Sequence, residues 1–443
     1  MIGVGLAVAS GLGSASRAAA QQPSCGATIV KDTRLRHDLM CAQGDGLVIG
    51  ADGVTLDLGG HTIAGGGDSV GVEILQHDRV SVVNGTIRSF RTAVEASGMP
   101  GGGPDGEPIP PDIAIRDRIE HVRMLACGTG VAILFADRAT VSESSITGCE
   151  RGILILGSHE THVSDDRLTD NQVGVEIQGG GENRVLRAAF RRNSEVGLSL
   201  RSSDNTIREN SIEGSHVGIY LFSRLRNKIE QNQLAGGFDV DGNPVGGDGI
   251  FFDASSDEGA GNNHEDVVVR NSISRYNRGV VLDGPSLDNT ISANQISKNR
   301  SAGVEVSGAH GNVFEQNVIV ENGERIVLED ETIVVGDGIR LRGFEQDANA
   351  ENLFRGNSLL RNFADGISLS GAESLGVVVE RNTASRNGDD GIDIDFPGVL
   401  VKANSAHANG DLGIEAVPGT IDGGGNTAHG NGNPAQCLNV VCH

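Results

Sequence analysis

At 443 residues the chain has room for about three domains, yet it holds no Trp, two Tyr and 65 Gly. That composition excludes an aromatic-rich globular core and asks for aliphatic packing with one turn geometry used many times. A net charge of −24 excludes unaided binding to nucleic acid or an anionic membrane, and disfavours a polyanion unless a cation bridges or Arg gathers locally.

The chain opens on a short apolar run, "MIGVGLAVASGLGSASRAAAQQ", in which Ala18, Ala19 and Ala20 fit an A-x-A cleavage site before Gln21. Residues 1–20 are expected to be a signal peptide for bacterial-type export, secreted or held at the cell surface. Its basic residue, Arg17, follows the apolar run instead of preceding it, so the start codon is either misassigned or the signal atypical. No later segment is long and apolar enough to span a bilayer. Residues 21–45, with the mixed "DTRLRHDLM", read as an N-terminal cap.

From residue 46 to 433 the chain repeats. Asn183, Asn205 and Asn227 lie 22 residues apart, as do Asn210 and Asn232, and Asn382, Asn404 and Asn426. A third register runs Cys127, Cys149, Asn171 and Asn193, and later Asn277 and Asn299. One period shared by three columns marks a stacked repeat, too short for paired helices. Each unit carries three alternating runs, as in the "NTI", "NQI" and "GVEV" of residues 289–306. The reading is an all-β, parallel β-helix of roughly sixteen coils with three strands per coil, about 75 Å long at the inter-strand spacing. Ile, Val and Leu would line the inside, Asn would take the left-handed turn and ladder its amides, and Gly would supply positive φ at the third corner.

Six cysteines suit an oxidising compartment and fall into local pairs: Cys25 with Cys41, Cys127 with Cys149, Cys437 with Cys442. The first and last pairs would fasten the caps, the second of which covers residues 434–443. Cys127 and Cys149 share a column one coil apart, within disulfide reach or as an unoxidised step in the ladder.

In "GVEV" the residue after the first apolar one points outward, as does the residue two further on. Up the stack these positions place Tyr220, Phe222 and Phe251 together, an exposed aromatic patch suited to stacking on sugar rings. The Asn step lengthens to 39 residues before Asn271 and to 40 before Asn357. Insertions flank this strand in both long coils, as walls of a binding face do. The floor between them would carry Phe251, Asp253, Asp283, Glu305, Arg340 and Arg342. Asp253 and Asp283, one coil apart, fit the acid and nucleophile of a retaining glycosidase, or a solvated or calcium-bridged pair. Arg340 and Arg342 fit a clamp on a carboxylate or sulfate, or charge balance against Glu305. "NGDDGIDID" gathers Asp389, Asp390, Asp393 and Asp395, with Asp393 and Asp395 the candidate calcium ligands, although D-G-I also recurs as a coil corner at Asp248, Asp337 and Asp365. Tyr220 with His216 has the elements of a proton-abstracting pair, or is plain surface.

The opening "GVTLDLGGHTIAG" (53–65) and the recurring N-x-I…N-x-I…N-x-x-G-I-x-L coil resemble the secreted right-handed parallel β-helix proteins of the pectate-lyase-like superfamily. The resemblance implies a right-handed coil and leaves the activity open among lyases, glycoside hydrolases, uronate epimerases, tailspikes, adhesins and a copper-handling protein. Asp389-Asp390 gives a D-D and Arg226-Asn227-Lys228 an R-x-K in the wrong order for a polygalacturonase, G-H-G and D-P-H-D are absent, and the His and Met residues are dispersed. The expectation is an exported protein that binds extracellular polysaccharide along one face, with cleavage or epimerisation there. The alternative is a non-catalytic surface or adhesion protein. Calcium is the one cofactor the residues suggest, and no assembly beyond a monomer is specified.

Overall fold

A computed structural model of the chain describes residues 22–98, 114–222, 225–237, 246–254, 263–328, 331–343, 349–371 and 375–443. The expected signal peptide and parts of the insertions (238–245, 255–262 and 344–348) lie outside the described residues. Every described element is a strand, and sixteen of them stack into one parallel sheet from Ala27–Ile29 to Ile414–Ala416. Two further columns of short parallel strands complete each coil. In the stretch 289–306, Thr290–Ser292 lies between Val267–Val269 and Val313–Glu315, Gln295–Ser297 lies between Ser272–Ser274 and Val318–Val320, and Ala302–Ser307 joins the long sheet. Residues one lap apart are therefore vertical neighbours.

The Asn residues do something other than turn the chain. The left-handed residue is the one before each: Gln231, Arg270, Ala293 and Gln316 have φ of 56°, 56°, 53° and 55°. These residues bend the backbone and point outward. The Asn that follows turns inward and is buried. At Asn294 the backbone N–H donates to Asn317 Oδ1 at 3.0 Å, and Nδ2 donates to the same oxygen at 3.0 Å and to Val268 O at 2.9 Å. The ladder thus satisfies amides that every coil corner would otherwise bury unpaired. The outward left-handed residues pair across coils as ions, as Arg187 with Asp165 at 2.8 Å and Arg226 with Asp204 at 2.8 Å.

The third-corner glycines also have a reason different from the one expected. Gly279 does not adopt positive φ; a Cβ there would sit 2.4 Å from Gly303 O in the next coil. Close backbone approach excludes a side chain at that position. Asn277 is not a ladder member either. Tyr276 takes the place, its N–H donating to Asn299 Oδ1 at 3.1 Å, and its ring is fully buried in the corner.

Vertical columns of Val, Ile and Leu fill the interior, but the core is less purely aliphatic than composition suggests. Phe90, Phe190, Phe252, Phe314, Phe354 and Phe396 are all buried, and Phe314 stacks on Phe354 at 5.0 Å. Within the expected cap of residues 21–45, the described residues supply the first coil: Ala27–Ile29 pairs with Leu47–Ile49 and Leu39–Cys41 with Thr62–Gly65. Disulfides join Cys25 to Cys41 and Cys437 to Cys442 at the two ends. Cys127 and Cys149 are free and buried, the second of the two alternatives open in the sequence. Cys149 stands at a ladder step, its N–H donating to Asn171 Oδ1 at 2.9 Å. The second insertion contains an antiparallel hairpin, Glu324–Leu328 with Glu331–Val335. At its base Gly336 (φ 130°) approaches Gly323 so closely that a Cβ would lie 1.9 Å from Gly323 Cα.

Candidate functional site

The long sheet presents the outward columns inferred from alternation. Tyr220 pairs in register with Phe251, Phe222 with Asp253, Asp253 with Asp283, Glu305 with Arg340 and Ser307 with Arg342. The aromatic patch is real. Tyr220 lies 6.3 Å from Phe222 in parallel and 5.8 Å from Phe251 edge-on, all three half-buried, and the Arg201 guanidinium stands 5.2 Å from the Phe222 centroid. The Tyr220 hydroxyl donates to Asp253 Oδ2 at 2.5 Å. Burial first, and then the Asp253 carboxylate, raise the phenol above its ordinary range, so Tyr220 is a proton donor at neutral pH and not a base. His216, expected to assist it, is exposed, and its carbonyl accepts from Gly247 N–H at the neighbouring corner.

Beside the patch lies a groove of about 400 Å³. Arg151, Glu176, Glu195 and Arg201 line it, and Tyr220 and Phe251 close one end. It crosses five rungs, from Arg151–Leu156 to Asp248–Asp253. Packing explains its place: small Ser199 precedes Tyr220 in the same column, and the rise to two aromatic rings makes a step. The concavity therefore lies on the N-terminal side of the patch, not on the expected floor between the insertions.

That floor is closed by an ion network. Arg278 donates to Asp248 Oδ1 and Oδ2 at 2.8 and 2.9 Å and to Glu305 Oε1 at 2.7 Å. Arg340, its side chain 11% exposed, donates to Asp337 Oδ2 at 2.5 Å and to Glu305 Oε2 at 3.5 Å. Arg340 and Glu305 thus satisfy each other and their neighbours, in line with charge balance, while Arg342 is exposed in the adjoining column. Asp253 and Asp283 are vertical neighbours, at about 4.8 Å for adjacent strands. Asp283 is raised above the usual carboxylate range, first by partial burial, with Asp253 and Glu305 adding to it and Arg278 opposing.

Asp248, Arg278 and Asp337 occupy the corner column, the residue before each strand glycine, where the bend of the coil rather than alternation brings their side chains to the outward Glu305 and Arg340. It continues as a carboxylate ladder. Asp365 N–H donates to Asp337 Oδ1 at 3.2 Å, Asp390 N–H to Asp365 Oδ1 at 2.9 Å, and Leu412 N–H to Asp390 Oδ1 at 2.6 Å. Burial and mutual repulsion push Asp365 and Asp390 up to about 8 and Asp393 up to about 7. Carboxylate oxygens of Asp390, Asp393 and Glu415, and of Asp389, Asp390 and Asp411, lie within 4.8 Å of one another. Asp393 of the expected calcium pair is in one of these groups; exposed Asp395 is in neither. Among the described residues every such convergent donor group is made of carboxylates.

Residues 114–244 and 246–335 match the NosD family, described as periplasmic copper-binding protein, and residues 331–441 match the family described as right handed beta helix region. Together with the parallel three-sheet coil, these matches make the chain a right-handed parallel β-helix protein. No curated protein compared with the chain matches it. Among solved structures, a mutant tailspike protein of E. coli bacteriophage HK620 in complex with a pentasaccharide is 13% identical, covers 94% of this chain and 74% of its own, and has a TM-score of 0.51. The periplasmic alginate epimerase AlgG, as a mutant, is 13% identical over 81% of this chain and 76% of its own, with a TM-score of 0.43. The catalytic domain of a mutant GH87 α-1,3-glucanase in complex with tetrasaccharides is 13% identical over 81% and 63%, with a TM-score of 0.48. At such identities the likeness is one of fold.

Proposed function

We propose that this protein is exported and binds extracellular polysaccharide along the outward face of its long sheet, with the chain running parallel to the coil axis. The observation that carries this reading is the patch of Tyr220, Phe222 and Phe251 closing the end of the groove. Aromatic side chains are scarce in the chain and, among the described residues, otherwise largely internal, yet three gather here on a polar face. Their rings offer flat apolar surface to sugar C–H faces, while Tyr220 and Asp253 supply a fixed polar edge. The disulfides at both ends, the match to a family described as periplasmic and the likeness to a tailspike in complex with a pentasaccharide support an exported, glycan-directed role.

Within that reading Asp253 and Asp283 are the groups for hydrolysis. The raised Asp283 serves as acid, and Asp253, held by Tyr220, serves as nucleophile. The second reading, binding without turnover as in an adhesin, is favoured by Arg340, whose guanidinium is engaged by Asp337 and Glu305 and not offered to a ligand. A glycan array with reducing-sugar and unsaturated-uronate assays tests both. Binding with product that Asp253→Asn and Asp283→Asn abolish marks an enzyme, and binding that survives both substitutions with no product marks an adhesin. Absence of binding across a broad array contradicts the proposal.

A further inference from the structure

Resting on the polysaccharide reading above, we infer that the groove takes a glycan segment free of carboxylate and sulfate groups, and that an ammonium group on the segment tightens its hold. The argument is one of charge placed by register. Every arginine described on this stretch of the face is already engaged. Arg151 Nε donates to Glu176 Oε2 at 2.7 Å, Arg201 stacks on Phe222, and Arg278 lies between Asp248 and Glu305. The Arg278 fork is closed by two carboxylates and the charge of Arg151 is offset by Glu176, so neither is an uncompensated cation of the kind that holds uronates and sulfates.

The carboxylates are in surplus. Exposed Glu150 and Glu195 stand on the groove rim, and exposed Asp283 follows on the rung beyond Phe251. Asp283 is raised first by partial burial, with Arg278 opposing and Asp253 and Glu305 adding smaller repulsions. A uronic polymer lying along the axis would set its own carboxylates at intervals against this column, and each approach would be repulsive. A neutral chain meets no such barrier. An ammonium group gains twice, from the acids on the rim and from the ring of Tyr220, whose face attracts cations. Because the acids are at the surface, the ammonium advantage is screened by salt whereas ring stacking is not.

Isothermal titration with three oligosaccharides of equal length tests this, run in chelator at mildly acidic pH: a β-1,4-glucosamine oligomer, its fully N-acetylated form, and an oligogalacturonate. The expected order is glucosamine tighter than N-acetylglucosamine by about fivefold at low salt, the two converging at high salt, and oligogalacturonate without measurable binding. Glu195→Gln is expected to narrow the ratio between the first two. Tightest binding of the oligogalacturonate overturns the inference while leaving polysaccharide binding intact. Equal affinity for the two hexosamine oligomers at low salt overturns the part assigned to the ammonium group. No binding to any of them or to a broad array overturns the inference together with the reading beneath it.

Discussion

The Tyr220 hydroxyl and Asp253 Oδ2, on successive rungs of the long sheet, are joined by a hydrogen bond of 2.5 Å. The bond crosses from one outward column to the next, so it fixes the ring at the end of the groove and the carboxylate beside Asp283 together. Tyr220→Phe keeps the ring and deletes the donor. It is expected to preserve most glycan affinity while lowering any turnover that depends on Asp253. Because burial raises both Tyr220 and Tyr276, ultraviolet titration of the folded protein should show no phenolate forming near the ordinary tyrosine value of about 10. A normal tyrosine titration would show that the phenol is not held by Asp253.

Three buried ladder steps carry Asp instead of Asn. Ser144 N–H donates to Asp166 Oδ1 at 2.7 Å, but Asp166 Oδ2 is buried without a partner, and the same holds for Oδ2 of Asp117 and Asp266. An amide there would donate to a carbonyl of the coil below. A carboxyl does so only when protonated, and burial accordingly pushes each of the three up to about 7. The folded value lies above the unfolded one, so the associated stability is complete below the ordinary aspartate value of 3.8 and is lost as pH rises through about 7. Asp166→Asn should raise stability by about 1–3 kcal/mol at alkaline pH and by much less at pH 4. Chemical denaturation at the two pH values measures it, and equal effects at both would contradict protonation of the buried carboxyl.

The carboxylate ladder on the outer face has the same sign. Asp365 and Asp390 at about 8 and Asp393 at about 7 favour the folded state at low pH and oppose it as pH climbs through those values. The melting temperature should fall between pH 5 and pH 9. Asp390→Asn, which keeps an acceptor for Leu412 N–H, should flatten that slope. A melting temperature that rises over this range in the wild type would mean that the acids are compensated by partners.

Cys127 and Cys149 are stacked, buried and reduced, with exposures of 6% and 4%. Alkylation of the native protein should therefore modify neither, and unfolding without reductant should release two reactive thiols while the two end disulfides stay closed. Finding no thiol after unfolding would show that the ladder step is oxidised in the folded protein.

Much of this architecture is legible because a β-helix turns sequence spacing into vertical neighbours. The 22-residue step, the outward columns from Tyr220 to Arg342 and the pairing of Asp253 with Asp283 were all readable from alternation. Alternation does not say why a residue type sits at a corner. Asn294 and the left-handed Ala293 before it are adjacent in sequence, and only the backbone shows which turns and which ladders. Nor does it say how long side chains pair across rungs, so the engagement of Arg340 by Asp337 and the displacement of the groove toward Arg151 were hidden. The corner column through Asp248, Arg278 and Asp337 was likewise hidden, because alternation assigns the residue before each glycine to the inward face and only the bend of the coil turns its side chain to Glu305 and Arg340.

The central claim is that a glycan lies on the step made by Tyr220 and Phe251. Its direct test is calorimetric titration of a glycan ligand into the wild type, Tyr220→Ala and Phe251→Ala, with thermal melts of each. The account predicts that each substitution weakens binding by about 1.4 kcal/mol, a factor of ten, with the melting temperature nearly unchanged. Wild-type affinity in both variants would contradict it.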